Sequence, residues 1–412
     1  MHLADLHLGY EQYGLRERAK DLSRRFREAA QKALDERVDF VVIAGDVFHS
    51  RAVDPATLMA AVEVLRPLRE AGVPVLAVAG NHERGWRGDR QTWLSLLDSL
   101  GYLRNLDVGI ERGLLRLGAP SGPQPSICEL PSARVIGLPY LGSVLPRLLE
   151  QLAEELRQME RRYTVLLAHA GLEGEMPGFT QPLRREHLSP LEGLVDYVAL
   201  GHLHKPFEHE NWIYNPGSLE ALGADEVQFH GGWYAVEVSG GPGCWHHEAK
   251  HTSARRRPFR RLSLDAGFYA TPEELGSALI ALAADNEDLR GRQALIELTL
   301  KGNLRFSPMA LDLNLLSAEL EERLKPLKVL LRDLATPAGV AMLEESDVPR
   351  SLIERRVLQL VIGSDSRYAP YEEQLSQIAC ELKEMALTGA DDEPIFARAL
   401  RAAADLNLAK RP

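Results

Sequence analysis

The chain has 412 residues, 45% of them hydrophobic and 26% charged, which is too long for one ordinary core and predicts two or three globular domains. Net charge is −11, with 59 acidic against 48 Lys and Arg residues, which argues against a uniformly basic nucleic-acid-coating surface. It leaves room for a local basic patch and for carboxylates whose charge is offset by metal ions. No apolar run reaches the ~18–20 residues that span a bilayer, so no membrane partner is expected. Cys128, Cys244 and Cys380 are scattered, and form neither a disulfide framework nor a paired-Cys zinc pattern. A reducing compartment is the simpler reading. The opening MHLADLHLGY has no basic start followed by an apolar stretch, so it is not expected to be a secretory signal.

In chain order, Leu22, Phe26, Ala29, Ala30 and Ala33 recur at helical spacing, and DFVVIAGD then reads as a short buried strand. A helical stretch from Met59 to Leu68 leads to a second strand, GVPVLAVAGNHE. YTVLLAHAG and DYVALGHLH follow as further buried strands. Buried strands alternating with helices predict an α/β fold with a mostly parallel sheet. After Tyr214 the texture turns to strand and turn, IYNPGS and GGWYAVEV. Residues 239–261 read as a boundary, with turn chemistry in SGGPG and a basic stretch in HTSARRRPFRR. Beyond it TPEELGSALIALAA predicts a helix with Thr271 as N-cap, Pro272 in its first position and Glu274 closing a capping box. ALIELTLKG and VLLRDLA read as strands of a small α+β domain. Leu375, Ile378, Ala379, Leu382, Met385 and Ala386 make an apolar stripe on a helical tail. The expected domains are residues 1–250, 256–337 and 338–412.

Five motifs stand at or just past the carboxyl ends of predicted strands: Asp5-Leu6-His7, Gly45-Asp46, Gly80-Asn81-His82-Glu83, His169, and Gly201-His202-Leu203-His204. Loops at those ends converge in open α/β sheets, so ligands far apart in sequence can meet. In DLH and HLH the outer residues point to the same side of an extended chain. Asp5, His7, Asp46, Asn81, His169, His202 and His204 offer mixed nitrogen and oxygen donors, suited to borderline ions such as Mn, Fe or Zn. Seven donors exceed the need of one tetrahedral ion and fit two ions with a shared carboxylate, the recurring device of phosphate-ester hydrolysis. His82 need not bind metal and is placed to act as acid towards a phosphoryl or leaving oxygen. His49, three residues after Asp46, is expected to orient His82 or contact phosphate.

DLH…GDVFH…GNHE…AHAG…GHLH resembles the calcineurin-like metallophosphoesterase pattern in order and spacing over residues 1–220. HLADLHLGY, GDVFHS and ALGHLHKP followed by YNPGS resemble its DNA double-strand-break repair exonucleases, typified by the bacterial nuclease subunit SbcD. The resemblance implies a two-sheet core flanked by helices, with one ion on Asp5, His7 and His204, the other on Asn81, His169 and His202, and Asp46 between them. It implies His82 as transition-state acid with His49 as companion. It further implies manganese-dependent cleavage of DNA, releasing nucleotides from ends and opening hairpins, in the nucleoid-associated cytoplasm. Residues 256–337 are similar to a DNA-capping domain, and the tail to a helical segment that docks on an SMC-like ATPase subunit (SbcC type); a homodimer is implied as well. A phosphatase or nucleotidase of the same superfamily would share the ligands. A non-catalytic scaffold subunit and a metal-storage or sensing protein complete the alternatives.

Only Met1 to Ala4 precede Asp5, so strand one is expected to be a stub whose Asp5 sits near a fraying end. Arg255, Arg256, Arg257, Arg260 and Arg261 read either as a solvated linker or as phosphate contacts. Cys244, His246, His247 and His251 match no zinc spacing and read as a solvated strand edge. Asn215-Pro216-Gly217-Ser218 reads as a tight turn whose backbone approaches the site.

Overall fold

The structure is a computed structural model that describes residues 1–83, 91–111, 114–116, 126–176, 182–285, 293–336, 350–363, 368–388 and 392–406. It divides into two units, Met1–Arg257 and Pro258–Pro412. The strands of the first unit begin with β1 (His2–Leu3), β2 (Val41–Ile43), β3 (Val75–Ala77), β4 (Arg104–Asn105), β5 (Gly109–Glu111), β6 (Leu114–Arg116) and β7 (Ile127–Glu129). They continue with β8 (Arg134–Leu138), β9 (Thr164–His169), β10 (Tyr197–Gly201), β11 (Phe207–His209), β12 (Ile213–Asn215), β13 (Gly232–Ser239) and β14 (His246–Ser253). Its helices are α1 (Arg16–Asp35), α2 (Pro55–Glu70), α3 (Trp93–Ser99), α4 (Leu145–Leu156) and the single turn α5 (Arg185–Leu188).

Two six-stranded sheets carry this unit, ordered β14-β13-β1-β2-β3-β4 and β11-β12-β10-β9-β8-β7. β1 to β4 run parallel, as do β8, β9, β10 and β12. Period-two alternation decides the layers. In β2, Val41 and Ile43 face α1 and α2, while Val42 and the following Ala44 face the second sheet. In β9, Val165 and Leu167 join Val42 and Ala44 in the inter-sheet core, and Leu166 and Ala168 pack with α4. The result is helix, sheet, sheet, helix, the two-sheet core that the motifs implied. Phe26 of α1 is 1% exposed, on the stripe the helical spacing predicted.

Strand β1 is a two-residue stub, as expected, yet it is paired on both sides. It lies inside its sheet, antiparallel to β13 and parallel to β2. Val42 N–H donates to Met1 O and Ala44 N–H to Leu3 O, and Asp5 N–H continues the ladder to Gly45 O at 3.1 Å. Two flanking strands replace the length that β1 lacks. Strand β14 is a sheet edge, but its histidines are not all solvated. His247 Nε2 lies 3.1 Å from the Tyr214 hydroxyl and His251 Nε2 3.1 Å from Pro216 O.

The second unit has a parallel sheet of β15 (Phe259–Asp265), β16 (Leu295–Lys301) and β17 (Lys328–Asp333), with α6 (Pro272–Ala284) and α7 (Leu313–Leu324). Leu275, Leu279, Ile296, Leu298 and Leu320 are fully buried in its core. Thr271 caps α6 by accepting from Glu274 N–H at 3.3 Å, but Glu274 Oε2 accepts from Ala270 N–H at 2.8 Å rather than from the cap residue. Helices α8 (Arg350–Gly363), α9 (Glu372–Leu387) and α10 (Asp392–Asp405) follow. The expected boundary between residues 337 and 338 lies outside the described residues.

Phe26→Ala is expected to lower the stability of the first unit by about 3–5 kcal/mol, since a buried ring leaves a cavity. Urea unfolding checks this; a loss below about 1 kcal/mol would mean that α1 is not held by this ring.

Candidate metal centre

All seven predicted ligands meet at the carboxyl ends of the parallel strands. Asp5 and His7 follow β1, Asp46 follows β2, Asn81 follows β3, His169 ends β9, and His202 and His204 follow β10. Asp5, His7 and His204 form one trio whose ligand atoms lie within 4.8 Å of one another; Asp46, His169 and His202 form a second. Asp46 Oδ2 stands between them, 3.7 Å from His7 Nε2 and 3.4 Å from His169 Nε2. Asn81 Oδ1 lies 3.0 Å from His169 Nε2. Asp5, His7, Asp46 and His169 are all buried to 1% exposure or less.

Glycine makes this approach possible. Gly45 has φ +86°, and a Cβ there would stand 2.2 Å from His169 Nδ1. A Cβ on Gly80 would stand 1.9 Å from Asp46 Oδ1. Four of the candidate ligands themselves hold a left-handed backbone: Asp5 (φ 52°), His7 (φ 44°), Asp46 (φ 51°) and His202 (φ 85°). Each such residue costs about 1–3 kcal/mol and persists only where its surroundings enforce it. Here the enforcement is visible, since Asp5 accepts from His202 N–H through both oxygens at 3.0 Å, and Asp46 Oδ1 accepts from His82 N–H at 3.0 Å.

The donor set fits divalent cations. His169 Nδ1–H donates to Ala44 O at 2.7 Å, and His204 Nδ1–H to Glu226 Oε1 at 2.6 Å. With those protons turned outward, Nε2 is the nitrogen that faces inward, its lone pair free once the ring is neutral. His204 Nε2 faces His7 Nε2 at 3.2 Å, so the two nitrogens are placed close enough to serve one cation. Burial pushes the Asp5 carboxyl up to about 7, with Asp46 adding to the rise and His204 and His169 opposing it. Burial also raises Asp46, but His169 and His7 outweigh it and hold that carboxyl well below the usual range. Burial lowers His169, but Asp46 and Asp5 overcome it and lift the ring to about 9. Burial and then His169 drive His202 down to about 3.

His82 and His49 stand beside the ligands. His82 Nδ1–H donates to His49 O at 2.6 Å, so His49 orients the His82 ring through its backbone. The His49 ring instead sets its Nδ1 3.2 Å from His7 Nδ1.

Three side chains support the site in ways that the motifs do not reveal. Glu83, the last residue of GNHE, accepts from Phe48 N–H and Gly80 N–H at 2.9 and 3.1 Å, tying the second motif to the third. Burial, then Asp46, pushes it up to about 8. Glu226 lies 22 residues beyond His204, and no local pattern points to it. Asn215 Nδ2 donates to Leu203 O and Lys205 O, bracing the HLH loop, and so gives the NPGS turn a side-chain role.

Two of the five arginines turn inward. Arg256 donates to Phe229 O and Ser218 O, and Arg257 forms a two-point pair with Asp21 at 2.5 and 2.8 Å. Arg261 pairs with Glu297 at 2.9 Å, and Arg255, Arg260 and Arg261 are all exposed.

Gly80→Ala is expected to push Asp46 out of line and reduce bound metal by at least one ion per chain, with the fold retained. Elemental analysis of the purified variant checks this, and wild-type metal content would refute the steric argument.

The family model for calcineurin-like phosphoesterases matches residues 1–206. The DNA double-strand break repair protein Mre11 of Aeropyrum pernix is 33% identical over 304 residues, covering 70% of each chain. Its namesake from Methanopyrus kandleri is 27% identical over 403 residues, covering 88% of this chain and 82% of that one. The Mre11 protein of Archaeoglobus fulgidus is 46% identical over 115 residues, 28% of this chain and 25% of that one. With its motif-bearing half matched by the phosphoesterase model and most of its length aligned to these repair proteins, the chain belongs to the calcineurin-like phosphoesterase family, in its Mre11 branch.

Proposed function

We propose that this chain is a metal-dependent DNA phosphodiesterase that trims DNA ends in double-strand-break repair, acting as an exonuclease with manganese. The observation that carries the reading is the pair of ligand trios, with Asp46 of the second reaching His7 of the first and His82 alongside. The repair proteins that align over most of the chain supply the substrate class.

Asp5, His7 and His204 would hold one ion, Asn81, His169 and His202 the other, and Asp46 would bridge them. Two divalent ions held there would draw charge from the phosphate and make an attacking water easier to deprotonate. The chain's own groups do the rest. Glu226 and Ala44 O fix His204 and His169 with their Nε2 atoms inward. His82 keeps its Nδ1 proton on His49 O, so the transferable proton is the one on Nε2, directed to the leaving oxygen. Water attacks phosphorus and releases one proton to solvent, the bond to the leaving oxygen breaks, that oxygen takes the His82 Nε2 proton, and His82 is reprotonated from solvent.

The second unit would serve as a DNA cap through about residue 337, and the exposed members of the arginine run, Arg255, Arg260 and Arg261, would contact phosphate. The helices beyond it would dock on an SMC-like ATPase subunit. A homodimer and a cytoplasmic location follow from the same reading.

The test is cleavage of hairpin and blunt-ended duplex DNA with manganese, set against a generic phosphomonoester. Hydrolysis of the monoester with DNA left intact would move the chain to the phosphatases. His82→Ala is expected to lower DNA cleavage by about 100-fold or more while metal content stays at the wild-type level; loss of both ions would refute an acid role.

Ligation needs deprotonated side chains. Asp5 at about 7 and His169 at about 9 both carry protons near neutral pH in the ion-free site. Manganese uptake is therefore expected to release protons at pH 7, and affinity to rise as pH climbs towards 9. Calorimetry in two buffers of different ionisation enthalpy reads the proton count, and zero release is the contrary result.

A further inference from the structure

Two tyrosines among the described residues stand against the site without being candidate ligands or acids: Tyr140 beside His202, and Tyr10 in closer contact with His49. The Tyr10 ring stacks on His49, with centroids 3.9 Å apart and planes 27° from parallel. His49 in turn places Nδ1 3.2 Å from His7 Nδ1. His7 turns its other nitrogen inward, towards Asp46 and His204. The three rings thus form a chain from the partly exposed Tyr10 to a buried candidate ligand.

We propose that Tyr10 is a positioning residue: it locks His49 in the plane from which His49 fixes the orientation and tautomer of His7. This rests on the metal-centre reading above and names the support of its first ion, the one assigned to Asp5, His7 and His204.

The argument is one of proton placement. A ring nitrogen that faces a cation presents a lone pair, so His7 carries its proton on Nδ1. That proton is donated to His49 Nδ1, whose lone pair accepts it, and the His49 proton sits on Nε2. An acceptor imidazole is useful only while its lone pair points at the donor, and rotation of the ring breaks the bond. Stacking on Tyr10 removes that rotation. The corresponding duties at His204 and His169 fall to Glu226 and to Ala44 O, groups already held by other bonds or by the backbone. Among the described residues no carboxylate or backbone group bonds the His49 ring, and the aromatic face takes that place.

The backbone is built to hold the stack. Tyr10 N–H donates to His7 O at 3.1 Å, closing a tight turn through Gly9, whose φ is +86°. Leu8 N–H donates to Val47 O and His49 N–H to Leu8 O, at 2.9 and 3.0 Å. Those bonds zip the loop after β1 to the loop after β2, so the two stacked rings hang from one paired segment.

The test is manganese titration of the full chain by calorimetry, on wild type, Tyr10→Phe, Tyr10→Leu and Tyr10→Gln. Phe keeps the ring face, and Leu and Gln remove it. Two ring-free variants are read so that a folding failure of one, seen by circular dichroism, leaves the other. Support residues of metal-bound histidines typically carry about 10–100-fold in affinity. The ring-free variants are expected to bind one ion about 10-fold or more weakly and the other as wild type does, and Tyr10→Phe to match wild type. DNA cleavage by the ring-free variants should fall at limiting manganese and recover when manganese is raised. Wild-type affinity in the ring-free variants overturns the proposal, as does a Tyr10→Phe defect equal to theirs. Wild-type protein that takes up no manganese sinks the metal-centre reading instead, which keeps the two failures apart.

Discussion

Asp46 is the group on which the other contacts of the site depend. Its Oδ2 lies between His7 and His169, one from each trio, while its Oδ1 accepts the backbone N–H of His82. One carboxylate thereby spaces the two trios and aims the candidate acid. Its own position is forced by a left-handed backbone at φ 51° and by two glycines with no room for a Cβ. The first sheet supplies Asp5, His7, Asp46 and Asn81, and the second supplies His169, His202 and His204, so the site exists only where both sheets end side by side.

Burial of so many polar groups sets the electrical character of the site. Neutral forms are favoured at Asp5, Glu83 and His202, while Asp46 and His169 hold each other charged. Such an arrangement is costly for an apolar sandwich to carry unless cations join it. The outward Nδ1 bonds of His169 and His204 pre-organise the inward nitrogens, so ordering entropy is spent in folding rather than at each binding event.

The arginine run illustrates how a charge cluster divides its work. Arg257 meets Asp21, which also pairs with the buried Arg18, and Arg18 pairs with Glu220. Arg256 holds two backbone carbonyls of the loops after β12. These cations satisfy buried acceptors of the first unit, so a count of basic residues overstates the charge offered to a polyanion. Arg255, Arg260 and Arg261 keep their exposure.

The sequence by itself determined the candidate ligand set and the layering. DLH, GD, GNH, HAG and GHLH each follow an apolar run, and strand alternation obliges those runs to end at one edge. It also set the helix at Thr271 and the turn at Asn215, because capping and turn chemistry are local. Only the tertiary structure decided the supports. Glu226 reaches His204 from a separate turn, Glu83 joins two loops by backbone bonds, and Tyr10 meets His49 across two strand ends. It also decided that a two-residue β1 holds, because β13, more than two hundred residues away, closes the side that a terminal stub would leave open. Local pattern records what each segment prefers; long-range pairing and the direction of a side chain's second hydrogen bond depend on which segments become neighbours.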